Sequence, residues 1–300
     1  PFIYHHVNQK KINEFRIDII LFVFSVFVAV GWSTYNSLYH FNFFDLYSLS
    51  VSLTEYTIID SNYFAIFISL SIIILLDYLF KSKTSILTTS LLIVIMLSFI
   101  VYLVLLAARV ALFTTFLLIT IRVLYVFYDR RRFIYMISAA IIFTLAFLSS
   151  IMLSPYLKQR IVTFYTHGFE ADFRYYEFKA AINAIQANPI FGYGIKGPDE
   201  VLMDEYKKMG FVEGIKYGFN AHNQSLQSTL HFGVWGFFVL ILIYFFLIKS
   251  TYKTRNFLFL SFSILFIFFS LTEAVLERNK GTLFLSFFIG FFLPQKTEDL

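Results

Sequence analysis

The sequence contains no cysteine and few charged residues, which make up only 14% of the chain. The absence of cysteine excludes disulfide frameworks and thiolate metal sites, although it does not identify a compartment. In soluble domains, charged residues make up about 25% of the chain. With 58% hydrophobic residues and a mean hydropathy of +0.72, the composition is instead that of a polytopic membrane protein.

The start of the chain also lacks two features. The first residue is Pro1 rather than Met, and the charged, apolar and small-residue regions of a signal peptide are missing. We therefore expect the native N-terminus to lie upstream. The net charge of +5 is modest, and cytoplasmic loops of membrane proteins collect Lys and Arg in any case, so the charge requires no nucleic-acid partner.

Long apolar runs predict an all-α polytopic bundle of about eight spans, because about 20 residues cross a bilayer. The predicted spans lie near residues 17–38, 61–80, 85–106, 110–128, 133–153, 224–248, 256–274 and 280–293. These spans predict three parts of the chain. Residues 1–153 form the first part of the bundle, residues 154–223 form one large loop with amphipathic helices, and residues 224–300 form the last spans.

The distribution of cations predicts the orientation of the bundle. One alternating set of linkers is rich in Lys and Arg, whereas residues 39–60 contain acidic residues and no Lys or Arg. By the positive-inside rule, both termini are cytoplasmic and the 154–223 loop is external.

Polar chemistry is concentrated between Asp172 and Gly236. Residues 172–186 have a helical pattern in which Phe178, Ile182 and Ile185 share an apolar face with Ala181. Arg174, four residues before Phe178, extends that face. Asn188-Pro189 ends the helix, because a residue before Pro avoids the α region.

Three glycines after this helix, Gly192, Gly194 and Gly197, match the G-x-G-x-x-G pattern. A dinucleotide site requires a strand before this motif and a helix after it within a βαβ unit, and here a helix and Asn-Pro precede it. The better interpretation is a turn that returns the chain across the external face, with the option that its backbone N–H groups face an anion.

Two histidines lie where the loop enters the next apolar run. A neutral imidazole at His222 can take a proton from a hydroxyl nucleophile, but an interfacial histidine fits the periodicity equally well. For His231, deeper in the same helix, we favour a packing role.

Charged residues at span ends allow functional and structural interpretations. A membrane-edge arginine such as Arg109 is costly enough to indicate function, and snorkelling to the interface explains it equally well. Arg122 and Asp77 are better interpreted as structural, since Asp77 can pair with Lys81 four residues later.

For two other groups of charged residues, exposure to water is the favoured explanation. Glu273, Glu277, Arg278 and Lys280 surround a short external turn, where contact with a phosphate or sugar is the minor alternative. The acidic pairs at 199–200 and 204–205 precede Lys207 and Lys208 on one predicted helix, which indicates a self-paired face. With no His-Glu-x-x-His and no Asp-x-Asp motif, we expect no catalytic metal and no cofactor.

Five ordered stretches resemble the O-antigen ligase and polymerase family of bacterial membrane glycosyltransferases. They are Tyr63-Phe64-Ala65, Ala108-Arg109, Arg174 in a helix running into Asn188-Pro189-Ile190-Phe191-Gly192-Tyr193-Gly194, Ala221-His222-Asn223 before a span with Gly233 and Gly236, and Glu273 to Gly281. Family members usually have about a dozen spans, so the resemblance implies further N-terminal spans. Asp60-Ser61, Ala108 and Phe178 replace the family's frequent His-Pro, hydroxyl residue and Trp, which leaves subfamily and acceptor open.

The resemblance implies an enzyme of the bacterial inner membrane whose active site faces the periplasm. Such enzymes move a glycan from a polyprenyl pyrophosphate carrier to an acceptor hydroxyl, without metal and with inversion. If the roles of the family's residues apply to the matching residues here, His222 deprotonates or orients the acceptor. Arg109 and Arg174 would hold the pyrophosphate, because a guanidinium binds phosphate oxygens in a bidentate manner. Asn223 and Arg278 are further candidates for substrate binding.

Within the family, the favoured function is O-antigen ligase, which joins a lipid-carried polysaccharide to a lipid A-core sugar. A polymerase uses another carrier-linked repeat as acceptor, and a protein O-oligosaccharyltransferase uses a protein; the motifs overlap, so these alternatives stay open. The implied partners are the lipid-linked donor, a lipid A-core or other glycan acceptor and membrane lipids. A flippase or transporter predicts ionisable residues near the midplane of two repeated halves, whereas here they gather at the external face.

Overall fold

The protein is described by a computed structural model that covers residues 9–39, 46–129 and 172–293, with separate positions between 134 and 168. All regular structure in these residues is helical, which confirms the predicted all-α class. In chain order the helices are α1 Gln9–Tyr39, α2 Leu46–Glu55, α3 Ser61–Lys81, α4 Ile86–Leu105, α5 Arg109–Asp129, α6 Phe173–Ala187, α7 Gly197–Met209, α8 Val212–Tyr217, α9 Gln224–Thr254, α10 Phe257–Ser270 and α11 Asn279–Phe292, with a 3-10 turn at Val275–Glu277.

Five of the described helices are long and apolar enough to cross a membrane, namely α1 from Ile17, α3, α4, α5 to Tyr128, and α9. They confirm five of the eight predicted spans. Helices α10 and α11 have 14 residues each. The predicted span at 256–274 therefore forms a shorter helix than expected, whereas α11 has the length predicted for 280–293, which is below the ~20 residues that cross a bilayer. The predicted span at 133–153 lies largely outside the described residues. Helix α2 was not predicted, because residues 39–60 read as a linker.

The chain divides into two compact units, Pro1–Leu157 and Lys158–Leu300. In the first unit, α3 is the central helix and packs against α1, α4 and α5. Its end carries a buried carboxylate, Asp77, whose Oδ2 lies 2.7 Å from Lys81 Nζ and whose Oδ1 lies 2.6 Å from Arg122 on α5. The predicted pairing of Asp77 with Lys81 is confirmed. The arginine across the helix interface is a second partner that sequence spacing did not reveal.

In the second unit, α6, α7 and α9 pack around a small apolar cluster. Its fully buried members include Ala180, Ala181, Ala184, Leu202, Tyr206, Phe211, Ala221 and Leu230. The predicted apolar face of α6 is therefore wrong in part, since Ile182 is 46% exposed. Alanines let two helix backbones approach closely, and this close packing selects the alanine side of α6 over the side with the larger apolar residues.

Helix α7 has local signals at both ends. Pro198 occupies its first turn, and Gly210 ends it in the left-handed conformation with φ 65°, as helix ends commonly require. Lys207 pairs with Asp204 and Lys208 with Glu205. The predicted self-pairing is confirmed for the second acidic pair, Asp204 and Glu205.

Helix α9 is broken near its start by the glycine-rich loop that follows α6. Gly233 has φ 61° and ψ −152°, so the backbone leaves the helical path there. Two carbonyls freed near the break accept hydrogen bonds from the loop, Leu230 O from Tyr193 N at 2.8 Å and His231 O from Gly194 N at 2.9 Å, while Val234 N donates to Pro189 O at 2.8 Å. Asn188 caps the end of α6 as predicted.

These bonds correct one expectation for the glycine-rich turn. The N–H groups of Tyr193 and Gly194 are occupied by carbonyls of α9, so they are not presented to an anion. The glycines serve close packing instead, because a Cβ at Gly192 would lie 2.6 Å from Gly233 N.

Candidate functional site

The candidate site is built on a tight turn that leads into α9. His222 has φ 41°, a left-handed conformation that is unusual for a residue other than glycine. The turn is fixed by Asn220, whose side-chain oxygen accepts a hydrogen bond from His222 N at 2.9 Å, and by Gln227, which accepts one from Ala221 N at 3.1 Å. Strained backbone of this kind persists where the surroundings hold it and occurs often at functional sites.

The imidazole of His222 is oriented by a carboxylate from the segment after α10. His222 Nδ1 lies 3.2 Å from Glu273 Oε2, and because a carboxylate oxygen accepts, Nδ1 is the donor. This fixes Nε2 as the basic nitrogen of the neutral ring. Within the described part of the chain, Nε2 makes no hydrogen bond, while Phe219 packs edge-on against the ring at 5.9 Å between centroids.

A second carboxyl group faces that free nitrogen. Glu177 on α6 has Oε1 3.9 Å from His222 Nε2, beyond hydrogen-bonding distance. The residue is only 3% exposed, and its Oε2 has no hydrogen-bond partner among the described residues. Burial raises the pKa of Glu177 to about 7, against the lowering effects of His222 and Arg174. The site therefore contains a buried carboxyl that changes protonation near neutral pH.

The same surroundings also shift the pKa of His222. Burial opposes its charged form, but the hydrogen bond to Glu273 and the charges of Glu177 and Glu273 outweigh burial, so the pKa of His222 is raised above its usual value. An imidazole with a raised pKa binds a proton more strongly, which suits a group that must take one from a hydroxyl.

Arg174 completes the cluster from α6, one turn before Glu177. Its guanidinium lies 3.7 Å from Glu273 Oε1 with the side chain 33% exposed. Asp172 begins α6 by accepting a hydrogen bond from Arg174 N at 3.1 Å. One carboxylate, Glu273, thus contacts both the imidazole and the guanidinium. The cluster of Arg174, Glu177, His222 and Glu273 is hereafter the His222 cluster.

Side chains at the start of α9 bind the segment that carries Glu273. Asn223 accepts hydrogen bonds from Ser225 N and Leu226 N as the helix cap, and its Nδ2 donates to Leu271 O at 2.9 Å. Gln224 Oε1 accepts from Leu276 N at 2.7 Å. The predicted substrate-binding role of Asn223 stays a prediction, and the structure gives this side chain a positioning task.

His231 differs from His222 in having both ring nitrogens occupied. Its Nδ1 lies 2.9 Å from Gly194 O, and its Nε2 lies 3.0 Å from Glu277 Oε1 and 3.3 Å from Gln227 Nε2. This side chain links α9 to the glycine-rich loop and to the 3-10 turn through polar contacts, whereas the sequence favoured a packing role for it.

The other two predicted arginines lie at helix starts. Arg109 is the first residue of α5 and follows Ala107, which has φ 52°; it belongs to the first compact unit, whereas the His222 cluster belongs to the second. Arg278 is exposed and immediately precedes α11. The roles of both arginines in substrate binding stay predictions.

Sequence reasoning missed Glu177 and underrated Glu273. The signal for Glu177 was its position three residues after Arg174, on the same side of a helix. For Glu273 the signal was a carboxylate directly after an apolar helix. The two carboxylates face different nitrogens of the imidazole ring of His222.

The described ranges contain no group of three or more His, Cys, Asp or Glu residues that could hold a metal ion.

A family model described as O-antigen ligase matches residues 91–241, which is half of the chain. The match includes Arg109, Arg174, Glu177 and His222, and it ends before Glu273. No curated protein matches the chain significantly. The family is one of ligase-like glycosyltransferases, and the five long apolar helices agree with it. The chain is therefore a multi-pass membrane protein that belongs to the O-antigen ligase family.

Proposed function

We propose that the protein is an O-antigen ligase of the bacterial inner membrane, which moves a glycan from a polyprenyl pyrophosphate to a hydroxyl of lipid A-core at the periplasmic face. The observation that supports this most is the state of His222. Its Nδ1 is held by Glu273 at 3.2 Å, and its Nε2 makes no hydrogen bond within the described residues. An oriented imidazole with an open basic nitrogen is what deprotonation of an acceptor hydroxyl requires.

The donor side of the reaction is assigned to the arginines. Arg174 lies at the edge of the His222 cluster and is partly exposed, so a pyrophosphate can reach its guanidinium. The charge that develops on the leaving group is stabilised by a pre-positioned guanidinium, and such interactions are worth several kcal/mol in a low-dielectric site. Arg109 is proposed as the second phosphate ligand, on the basis of the family resemblance.

The chemical step is a single inverting displacement. The acceptor oxygen attacks the anomeric carbon as its proton moves to His222 Nε2. The bond between that carbon and the pyrophosphate oxygen breaks, and its electron pair leaves with the pyrophosphate. The imidazolium that forms is stabilised by Glu273 on one side and by ionised Glu177 on the other.

The test is glycan transfer in proteoliposomes with a polyprenyl-pyrophosphate glycan, a lipid A-core acceptor and EDTA. We expect His222→Ala to lower the transfer rate by about 10²- to 10⁴-fold, the usual contribution of a general base, without loss of donor binding. Arg174→Lys keeps the charge but loses the bidentate fork, so it should weaken donor binding. Two changes on the exposed side of α6, Lys179→Arg and Asn183→Ala, are the controls and should leave both readouts unchanged.

The outcomes separate the alternatives. Equal transfer by wild type and His222→Ala would remove His222 from the chemistry. Glycan lengthening on the carrier without transfer to lipid A-core would identify a polymerase, and transfer to a protein hydroxyl would identify a protein O-oligosaccharyltransferase. Movement of the lipid-linked glycan across the bilayer without any new glycosidic bond would identify a flippase. Loss of wild-type transfer on addition of EDTA would contradict the metal-independent mechanism.

A further inference from the structure

The proposed glycosyl transfer gives no task to the glycine-rich loop between α6 and α7. Residues 189–195 of this loop expose three large apolar side chains, Ile190, Phe191 and Ile195, and the exposed fraction is 74% for Phe191 and 79% for Ile195. Exposed apolar side chains grouped in this way mark a surface that contacts something other than water.

The depth of this loop is set by its bonds to α9. The loop backbone pairs with Leu230, His231 and Val234, and a Cβ on Gly233 would lie 2.1 Å from Ile190 O. The loop therefore lies directly against the break at Gly233. It is also held to α6, because Tyr193 donates its hydroxyl hydrogen to Ala184 O at 2.7 Å and Asn188 donates to Gly192 O.

The break at Gly233 coincides with the polar-to-apolar transition of α9. Residues 224–231 include Gln, Ser and His, whereas residues 232–248 are almost entirely apolar before Lys249. At about 1.5 Å per residue, the apolar part is roughly 25 Å long, close to the ~30 Å hydrocarbon core of a bilayer. If this apolar part crosses the hydrocarbon, Gly233 lies at its boundary with the head groups, and Trp235, 60% exposed, lies where interfacial aromatic belts occur.

From this geometry we propose that residues 189–195 form a membrane-inserted loop, with Ile190, Phe191 and Ile195 in the interfacial layer of the bilayer leaflet on the α6–α8 side. The occupant of this apolar surface is lipid, because the loop is bonded to residues 230–234 of α9, a helix long and apolar enough to cross a membrane, whose Phe232, Trp235 and Phe238 are also exposed. Non-helical backbone survives at membrane depth only when its polar groups are paired within the protein, and the hydrogen bonds to α9 pair the N–H groups of Tyr193 and Gly194 and the carbonyl of Pro189.

The inference does not depend on the reaction catalysed, and the cysteine-free sequence allows a direct test. Single cysteines replace Phe191, the exposed Ile182 of α6 and the exposed Phe238 of α9. A spin label is attached to each variant, and the protein is reconstituted in vesicles of phosphatidylethanolamine and phosphatidylglycerol. The accessibility of each label to apolar oxygen and to a water-soluble nickel chelate is then measured by electron paramagnetic resonance.

We expect the label at Phe191→Cys to favour oxygen over the nickel chelate several-fold more than the label at Ile182→Cys, and to approach the ratio at Phe238→Cys. A ratio at 191 equal to that at 182 would place the loop in water and overturn the proposal. Low accessibility of 191 to both reagents would show that protein covers the surface, which also overturns it. Ile195→Cys provides a second position in the same loop and should agree with 191.

Discussion

At the residue scale, the turn at His222 combines a functional side chain with an unfavourable backbone conformation. With φ 41°, the position costs a non-glycine residue about 1 to 2 kcal/mol. His222→Gly should therefore be more stable than His222→Ala by about 1 kcal/mol, although both lack the imidazole and should show the same loss of glycan transfer. Thermal unfolding midpoints of the two variants in detergent test this. A variant pair with equal midpoints would mean that the turn relaxes when the imidazole is removed.

Glu177 provides a second residue-scale prediction, which concerns stability and pH. Its folded-state pKa of about 7 lies above the ordinary value of 4.5. The protonated carboxyl therefore favours folding, and this contribution is complete below about pH 4.5 and is lost as the pH rises through about 7. The difference in pKa corresponds to roughly 3 kcal/mol. The raised pKa of His222 acts in the same direction, because its charged form also pairs best in the folded protein.

The neutral isostere Glu177→Gln removes this titration. We expect the variant to match wild type near pH 4 and to be more stable near pH 8, by up to about 3 kcal/mol. Unfolding midpoints at both pH values measure the difference, and Glu205→Gln, whose carboxylate pairs with Lys208 on α7, is the control for removal of a carboxylate. A stability difference that does not change with pH would contradict the assignment.

At the scale of elements, the joint between α9 and the glycine-rich loop depends on Gly233. A methyl group there would lie 2.1 Å from Ile190 O on a backbone with φ 61°. Gly233→Ala should therefore lower the free energy of unfolding by at least about 2 kcal/mol. Gly290→Ala is the matched control, because nothing lies within 4 Å of a Cβ on this helical glycine of α11, and alanine should stabilise it by about 0.5 to 1 kcal/mol. If Gly233→Ala instead stabilised the protein as Gly290→Ala does, this result would contradict the non-helical backbone at Gly233.

At the scale of the whole molecule, the charges of the linkers predict the orientation in the membrane. The distribution of Lys and Arg predicts that the α6–α8 segment is external and that the end of α9 is cytoplasmic. In the cysteine-free chain, Ile182→Cys should react with a membrane-impermeant maleimide in intact spheroplasts, and Lys253→Cys should react only after permeabilisation. The reverse labelling pattern would invert the topology and remove the periplasmic site.

Sequence reasoning succeeded where a local signal determines the structure. Apolar length identified five long helices, and Asn188-Pro189 marked the end of α6, because both depend on near neighbours in the chain. It failed where distant segments meet. Glu273 reaches His222 across 51 positions, and the break at Gly233 is matched to a loop some 40 residues earlier. The exposed Ile182 shows the same limit. Helix α6 packs through its alanines, because they allow close helix contact, whereas periodicity predicted that its larger apolar residues would be buried.

Glu273 contacts both the imidazole of His222 and the guanidinium of Arg174. Under the proposed function, a pyrophosphate that draws Arg174 toward itself removes a cation from this carboxylate, so more of its charge acts on the imidazole and Nε2 becomes a stronger base. The two substrates would then add in a fixed kinetic order, donor before acceptor, which initial-rate product-inhibition patterns would detect. An empty donor site would hold a weaker base, so activation of the hydroxyl would wait until the leaving group is in place.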